Sequence, residues 1–202
     1  MPSEISLTKD QINEIRNAIK VNIDSIDPSS ICGTASLNLF CSTKNGQKAV
    51  LKLFHPSNQL NIPALAVPEP YHCELEALKA LKNAQYSPRL LEHGELKTRI
   101  KIKHFTLQYW LIRTYGEGDL ISSKNGIDTA QTVLIKTQLK QFFTTCCEAE
   151  IVVGDLKLDN FVWDGASITW VDFGMFKKCT QKTYRGKQNL RAFLKMKGFL
   201  PR

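Results

Sequence analysis

The sequence predicts an α+β fold of two small lobes. Its predicted elements follow in the order helix, β-hairpin, helix, strands, helix and short hairpins. Gly116-Glu117-Gly118 breaks the strand before it, and we expect the lobes to divide there. The predicted parts are an N-terminal helix region over about residues 1–28, an N-lobe over 29–116 and a C-lobe over 117–202. With 43% hydrophobic residues, the 202-residue chain can fill the hydrophobic core that such a fold needs.

The first helix is predicted over about residues 9–20. Thr8 and Gln11 have the spacing of a capping box, in which each side chain binds the other residue's backbone N–H. The turn-forming segment 27–30 is predicted to end this region. Isoleucines recur at helical spacing, at Ile12, Ile15, Ile19 and Ile23.

A β-hairpin and a second helix are predicted next. The apolar runs Ser36–Cys41 and Lys48–Phe54 are joined through Lys44-Asn45-Gly46, and Asn-Gly favours a type I′ turn, whose two central residues have positive φ. Residues 56–70 hold four prolines and are predicted to form a loop. Leucines at helical spacing then predict a helix over Tyr71–Asn83.

Strands are predicted between Arg89 and Tyr115. Residues 99–103 alternate polar and apolar side chains with a period of two, and Tyr109–Thr114 is predicted to be a central strand.

A third helix and short hairpins complete the predicted fold. A capping box of Asp128 and Gln131 begins the helix, which extends to about Cys147. Residues 151–170 are predicted to form short strands with a turn at Asp164-Gly165. The apolar side of the helix is predicted to hold Val133, Leu134, Phe142 and Phe143.

The positive charge is concentrated near the C-terminus. The formal net charge is +8, but residues 175–202 hold nine Lys or Arg and no acid, so the first 174 residues carry a net −1. This distribution argues against nucleic acid as a partner. An amphipathic helix over 187–197 is predicted either to pack on the C-lobe or to dock an acidic partner protein or nucleotide phosphates.

Composition argues against several other classes of protein. No run of about 18 apolar residues predicts a transmembrane helix, and the N-terminus does not resemble a secretory signal peptide. Six cysteines and four histidines have no metal-like spacing, so we expect reduced thiols and no zinc site.

The strongest chemical signal lies near the predicted short hairpins. Gly154-Asp155-Leu156-Lys157-Leu158-Asp159-Asn160 spaces a carboxylate and an amide five residues apart around a lysine, and Asp172-Phe173-Gly174 follows an apolar run. Phosphoryl transfer uses these residue types: a carboxylate for the hydroxyl proton, a lysine at the γ-phosphate, and amide and carboxylate oxygens for Mg²⁺. A hairpin between the two motifs would bring Asn160 and Asp172 side by side.

A second signal is a lysine on an apolar strand. Lys52 ends the run Ala49-Val50-Leu51-Lys52, and burying it without an anion would be costly. Glu74 on the following helix is the predicted partner. Glu76 lies about 200° around the helix from it, so only one of the two can point inward.

In order, these motifs resemble those of protein kinases: the strand lysine, the helix glutamate, Asp-Leu-Lys-x-x-Asn and Asp-Phe-Gly. The resemblance covers about residues 29–174. It implies a minimal bilobal kinase-like fold, with a small antiparallel-sheet N-lobe, a truncated helical C-lobe, and ATP and Mg²⁺ as cofactors. ATP would lie between the hairpin lobe and residues 155–174.

The resemblance also implies a role for each site residue. Lys52 would contact the α- and β-phosphates and pair with Glu74. Asp155 would be the catalytic base and Lys157 the γ-phosphate contact. The Mg²⁺ ligands would be Asn160 and Asp172, and the phosphate-covering loop would include Gly33 and Ser36.

The chain departs from the kinase pattern at several points. Val153-Gly154 stands where kinases have His-Arg, and the missing arginine predicts an enzyme that needs no phosphorylated activation loop. Segment 32–36 has one glycine where kinases have three. No Ala-Pro-Glu follows Asp-Phe-Gly, and only 28 residues follow Gly174.

Kinases trimmed in this way are similar to effectors that bacterial pathogens inject through type III secretion. The chain most resembles the Hop-family effector kinase, which phosphorylates the host ninety-kilodalton heat-shock chaperone. This resemblance implies a Ser/Thr protein kinase and virulence factor that acts in the host cytoplasm. If the protein is not secreted into a host cell, we expect it to be cytoplasmic.

Other functions fit the same residues. Aminoglycoside and lipopolysaccharide kinases also have Gly-Asp-x-x-x-x-Asn followed by an aspartate, but usually with a larger substrate lobe. A non-catalytic kinase-fold scaffold, such as an effector that binds ubiquitin-conjugating enzymes, is the third possibility. A scaffold would not require the whole set of Lys52, Glu74, Asp155, Asn160 and Asp172.

Overall fold

The computed structural model describes most of the chain. The described residues are 3–20, 23–32, 36–55, 70–102, 105–121, 127–152, 154, 157–174 and 176–178. The chain divides into two compact units, the first made of Met1–Leu75 and Arg89–Tyr115, and the second of Glu76–Pro88 and Gly116–Arg202. Among the described helices, none has both the length and the apolar composition needed to cross a membrane.

A six-stranded antiparallel sheet forms the first unit, in the order β1-β2-β3-β4-β6-β5. β6 lies between β4 and β5, which confirms the prediction of a central strand ending at Thr114. The strands are β1 Ser3–Ser6, β2 Ile23–Cys32, β3 Ser36–Thr43, β4 Lys48–Phe54, β5 Leu90–Ile102 and β6 Phe105–Thr114.

Helix α1, Lys9–Ile19, packs on one face of this sheet against β2 and β5. The predicted capping box is confirmed: Gln11 N–H donates to Thr8 Oγ1 at 3.2 Å, and Thr8 N–H donates to Gln11 Oε1 at 3.0 Å. The buried side of the helix shares an apolar cluster with Ala49, Leu51 and Leu53 of β4. Because side chains alternate along a strand, Lys52 points to the opposite face of the sheet.

The N-terminal region holds more strand than the sequence predicts. β2 runs through residues 27–30, which we expected to be a turn, and pairs with β1 on one side and β3 on the other. Its register with β3 shifts between Ile26 and Ser30. Asp27 Oδ1 accepts hydrogen bonds from the backbone N–H and the hydroxyl of Ser29 at 2.8 and 2.6 Å. The turn-forming residues therefore make an irregularity within a strand.

The hairpin between β3 and β4 is confirmed, but the prediction of a type I′ turn is wrong. Gly46 has a φ of 78°, whereas Asn45 has no positive φ. Gly46 N–H donates to the Thr43 carbonyl at 2.8 Å, and Thr43 N–H donates to the Gln47 carbonyl at 2.9 Å. The loop therefore has three residues, and only its glycine is left-handed.

Helix α2 spans Pro70–Ala80, so it ends before the predicted limit at Asn83. Residues 70–75 belong to the first unit and residues 76–80 to the second. The predicted proline-rich loop lies outside the described residues up to 69, and its last proline, Pro70, begins the helix.

Helix α3 and short strands form the second unit. α3 spans Thr129–Glu148. One short strand precedes it in the chain, β7 Asp119–Leu120. Four follow it, namely β8 Ile151–Val152, β9 Phe161–Trp163, β10 Ile168–Trp170 and β11 Lys177–Lys178. β10, β9 and β7 form one antiparallel sheet, and β11 pairs with β8. A 3₁₀ turn over Leu158–Asn160 leads into β9.

The predicted capping box of α3 is confirmed, but its predicted apolar side is partly wrong. Gln131 N–H donates to Asp128 Oδ1 at 2.8 Å. Val133 and Leu134 are 57% and 41% exposed. The buried side chains follow one stripe at spacings of three and four residues, which Val133 and Leu134 do not share. The buried side chains are those of Ile135, Gln138, Leu139, Phe142, Phe143 and Cys146.

Candidate active site

Lys52 and Glu74 form a buried ion pair in the first unit. Lys52 Nζ lies 2.6 Å from Glu74 Oε2, and the two residues are 3% and 0% exposed. Glu76 is exposed and lies 3.8 Å from Lys79. Glu74 is thus the partner of Lys52, as predicted, and Glu76 points away from it.

Arg113 joins this pair, although it is not among the site residues predicted from the sequence. Its Nε lies 3.5 Å from Glu74 Oε1, its Nη1 donates to the Thr114 carbonyl at 3.4 Å, and the residue is 4% exposed. A signal existed: Arg113 is a charged residue in an otherwise apolar stretch of its strand, as Lys52 is in β4. Its position two residues from Leu111, which pairs with Lys52, puts both cations on the same face.

Asn160 and Asp172 lie at the two ends of a hairpin in the second unit. The Val171 N–H donates to the Asn160 carbonyl at 2.8 Å, which continues the β9–β10 pairing by one residue. Asn160 is 3% exposed, and its own N–H donates to the Lys157 carbonyl at 3.1 Å. The backbone therefore brings Asn160 next to the residue that precedes Asp172.

Two polar side chains hold the turn of this hairpin. Asp164 Oδ1 accepts from the N–H groups of Ala166 and Ser167 at 2.8 and 2.6 Å. Gln138 of α3 is 6% exposed, donates to the Ala166 carbonyl at 2.7 Å and accepts from the Ile168 N–H at 2.8 Å. Since both Gln138 partners are backbone groups, α3 fixes the hairpin whatever side chains the turn carries.

Buried aromatic residues anchor the chain around Asp172. Phe173 is fully buried, and its ring centroid lies 4.8 Å from that of Phe176 and 6.4 Å from that of Trp170. The Trp170 indole N–H donates to the Asp172 carbonyl. Asp172 is half-buried, and its Oδ1 accepts from the Gly174 N–H at 3.1 Å. The backbone on both sides of the carboxylate is thus held by packing.

The remaining predicted site residues are distributed as follows. Ser36 is buried at the start of β3, where its backbone pairs with Phe54, on the same face of the sheet as Lys52. Lys157 is half-buried and precedes the 3₁₀ turn that ends at Asn160. Gly33 and Asp155 lie outside the described residues.

The residues present are suited to hold Mg²⁺ and a nucleotide. Mg²⁺ prefers oxygen ligands, and Asn160 and Asp172 supply an amide and a carboxylate oxygen at neighbouring backbone positions. A carboxylate has about four acceptor sites, so the hydrogen bond from Gly174 leaves Asp172 able to bind a cation. Lys52, held by Glu74, is a fixed positive charge of the kind that binds phosphate.

Comparison with solved structures shows a kinase-like fold. The chain is similar to WbdD, solved with the kinase inhibitor LY294002, at 18% identity and a TM-score of 0.57 over 89% of this chain. It is also similar to the Rio2 kinase of Chaetomium thermophilum, solved in an ADP/Mg²⁺-phosphoaspartate complex, at 10% identity and a TM-score of 0.62 over 97% of this chain. The predicted kinase-like α+β fold is confirmed.

The likeness extends over only part of each neighbour. The chain spans 38% of the WbdD chain and 63% of the Rio2 chain. No protein-family model matches the sequence, and no curated protein matches it.

Proposed function

We propose that the protein is an ATP- and Mg²⁺-dependent phosphotransferase that phosphorylates Ser or Thr hydroxyls of a protein. The observation that carries this proposal is the buried pair of Lys52 and Glu74 at 2.6 Å, on a kinase-like fold. A buried ion pair costs desolvation energy and adds little to stability, so a functional role explains it better than a structural one. ADP and Mg²⁺ in the Rio2 neighbour support the same cofactors here.

Each site residue has a defined task in the proposed reaction. Lys52 binds the α- and β-phosphates, and Lys157 binds the γ-phosphate. Asp155 accepts the proton of the attacking hydroxyl. The hydroxyl oxygen forms a bond to the γ-phosphorus while the bond between the γ-phosphorus and the ADP oxygen breaks. Asn160 and Asp172 hold Mg²⁺, which supplies charge neutralisation across the phosphates when bound. Gly33 and Ser36 cover the phosphates in this proposal.

The finer proposal concerns the acceptor. On the resemblance to Hop-family effectors, we propose that the acceptor is a host protein, the ninety-kilodalton heat-shock chaperone, and that the enzyme works in the host cytoplasm as a virulence factor. The missing His-Arg before Asp155 supports an enzyme that needs no activating phosphorylation. Purified chaperone and whole eukaryotic lysate are therefore the acceptors to compare.

The test is transfer of label from γ-labelled ATP with Mg²⁺ into the chaperone, into lysate proteins and into small acceptors. Asp155→Ala and Asp172→Ala are expected to abolish the label in protein bands, because they remove the proton acceptor and a metal ligand. Asp159→Asn is the matched control. Asp159 is exposed and lies next to Asn160, but has no role in the proposed reaction, so its variant should keep full activity.

The outcomes separate the proposals. Label in lysate proteins other than the chaperone would contradict the finer acceptor and keep the protein kinase. Transfer only to aminoglycosides or lipopolysaccharide would indicate a small-molecule kinase. Label on the enzyme that hydroxylamine removes would indicate an acyl phosphate such as the phosphoaspartate of the Rio2 complex. No transfer to any acceptor, with binding to ubiquitin-conjugating enzymes, would indicate a scaffold and overturn the catalytic proposal.

A further inference from the structure

Both oxygens of the Glu74 carboxylate face a buried cation. Lys52 Nζ lies 2.6 Å from Oε2, and Arg113 Nε lies 3.5 Å from Oε1. The three side chains are at most 5% exposed, so water and salt screen these interactions little. The carboxylate is therefore attracted in two directions at once.

The two cations come from neighbouring strands. Lys52 of β4 pairs with Leu111 of β6, and Arg113 of β6 pairs with Val50 of β4. The positions of the cations are thus offset by two residues along the sheet, on the diagonal at which long side chains still reach each other. A single contact would let Glu74 pivot about one strand, whereas two contacts oppose both a rotation and a slide of its helical turn.

Arginine suits the second contact better than lysine would. Its guanidinium is planar, always charged and rigid, and here it also donates to the Thr114 carbonyl at 3.4 Å. Arg113 therefore contacts its own strand as well as Glu74. In kinases the ion pair of the strand lysine and the helix glutamate must be in place for activity, and the position of the helix controls it.

We propose that Arg113 is a positioning residue that keeps Glu74 engaged with Lys52, so that the phosphate-binding lysine is in place without an activating phosphorylation. This inference rests on the proposed function for the role of Lys52. In this inference, the charge of Arg113 controls the position of Glu74. The chain lacks the arginine before Asp155 that would bind a phosphorylated activation loop in other kinases.

The first test measures the helix and the lysine without any activity. Arg113→Met and Arg113→Lys are compared with Arg99→Met, which removes an exposed arginine of β5. In Arg113→Met we expect about tenfold faster amide exchange of peptides covering α2 and about tenfold faster acetylation of Lys52 by acetic anhydride. Peptides covering β2 and β3 should exchange as in the parent protein, which shows that the sheet remains folded.

The second test separates positioning from folding. In Arg113→Met, kcat/KM for ATP should fall by about tenfold or more, while the KM for the acceptor stays constant. Arg113→Lys should recover part of this loss because it restores the charge, and Arg99→Met should behave as the parent protein. If Arg113→Met does not fold, the partial loss in Arg113→Lys carries the test.

Two results would overturn the inference. One is parental exchange of α2 and parental acetylation of Lys52 in the Arg113 variants. The other is a looser α2 with unchanged phosphotransfer, which would make Arg113 purely structural. If the parent protein transfers no phosphate, the proposed function fails by itself, and the acetylation rate of Lys52 then decides whether Arg113 positions the lysine.

Discussion

Gly118 is a position in the second unit where an added methyl group should be strongly destabilising. Its φ is +105°, and a Cβ there would lie 2.2 Å from the Trp163 carbonyl oxygen and 2.6 Å from the Asp164 nitrogen. These are backbone atoms of β9 and the following turn, so they cannot move aside as a flexible side chain can. The next residue, Asp119, pairs with Trp163 in the β7–β9 ladder.

Gly165 provides a matched control for the size of this effect. It has the same φ of +105°, but a Cβ there meets nothing within 4 Å. Gly165→Ala should therefore cost only the left-handed conformation, about 1–2 kcal/mol. Gly118→Ala adds the clash, about 1–3 kcal/mol more by analogy with overpacked cores. The difference between the two variants thus isolates the close approach of the backbone to Trp163.

Urea unfolding followed by tryptophan fluorescence measures this difference. Two of the three tryptophans, Trp163 and Trp170, are fully buried in the second unit and report on its unfolding. We expect the midpoint to fall more in Gly118→Ala than in Gly165→Ala, with an unchanged slope. Equal midpoints would refute the reasoning, because they would mean that β7 does not approach β9 as closely as the geometry requires.

Three further predictions concern buried polar groups. Gln138→Leu should lower the free energy of unfolding by about 2–4 kcal/mol in a urea titration, because two backbone groups of the β9–β10 turn lose their partner; an unchanged midpoint would contradict this. Burial raises the pKa of the Cys41 thiol to about 11, so the reactive thiolate is scarce at pH 8 and forms as the pH rises toward 11. Iodoacetamide at pH 8 should therefore modify the half-exposed Cys147 well before Cys41, as peptide mass spectrometry would show; equal rates would argue against the burial of Cys41. Glu74→Gln should reduce phosphotransfer at least tenfold, since it removes the charge that holds the lysine, whereas Glu76→Gln should leave the rate unchanged.

The features that could be predicted from the sequence depend on residues close together in the chain. The capping box of Thr8 and Gln11 and the hairpin that ends in β10 are local, because their hydrogen bonds join residues a few positions apart. That only one of Glu74 and Glu76 can face the sheet also follows from the angle between two positions on one helix. Local geometry of this kind carries over directly from sequence to structure.

The features that could not be predicted depend on residues far apart in the chain. Arg113 is 39 positions from Glu74, and only the pairing of β6 with β4 brings them together. The strand β2 has turn-forming residues in its middle, and its pairing with β1 and β3 overrides their local preference. Val133 was predicted to lie on the apolar side of α3, but the packing of the helix buries a different stripe of side chains and leaves Val133 exposed.

The candidate residues of the two units are held by different interactions. In the first unit, the position of Lys52 depends on charge, since Glu74 binds it directly and Arg113 holds the other carboxylate oxygen. In the second unit, the chain around Asn160 and Asp172 is placed by backbone hydrogen bonds, aromatic packing and the polar side chains of Asp164 and Gln138. Neutralising Glu74 should therefore disturb the position of Lys52 and leave the hairpin of the second unit in place. A loss of activity in variants of Asn160 or Asp172 therefore reports on chemistry rather than on folding only where their urea midpoints match that of the parent protein.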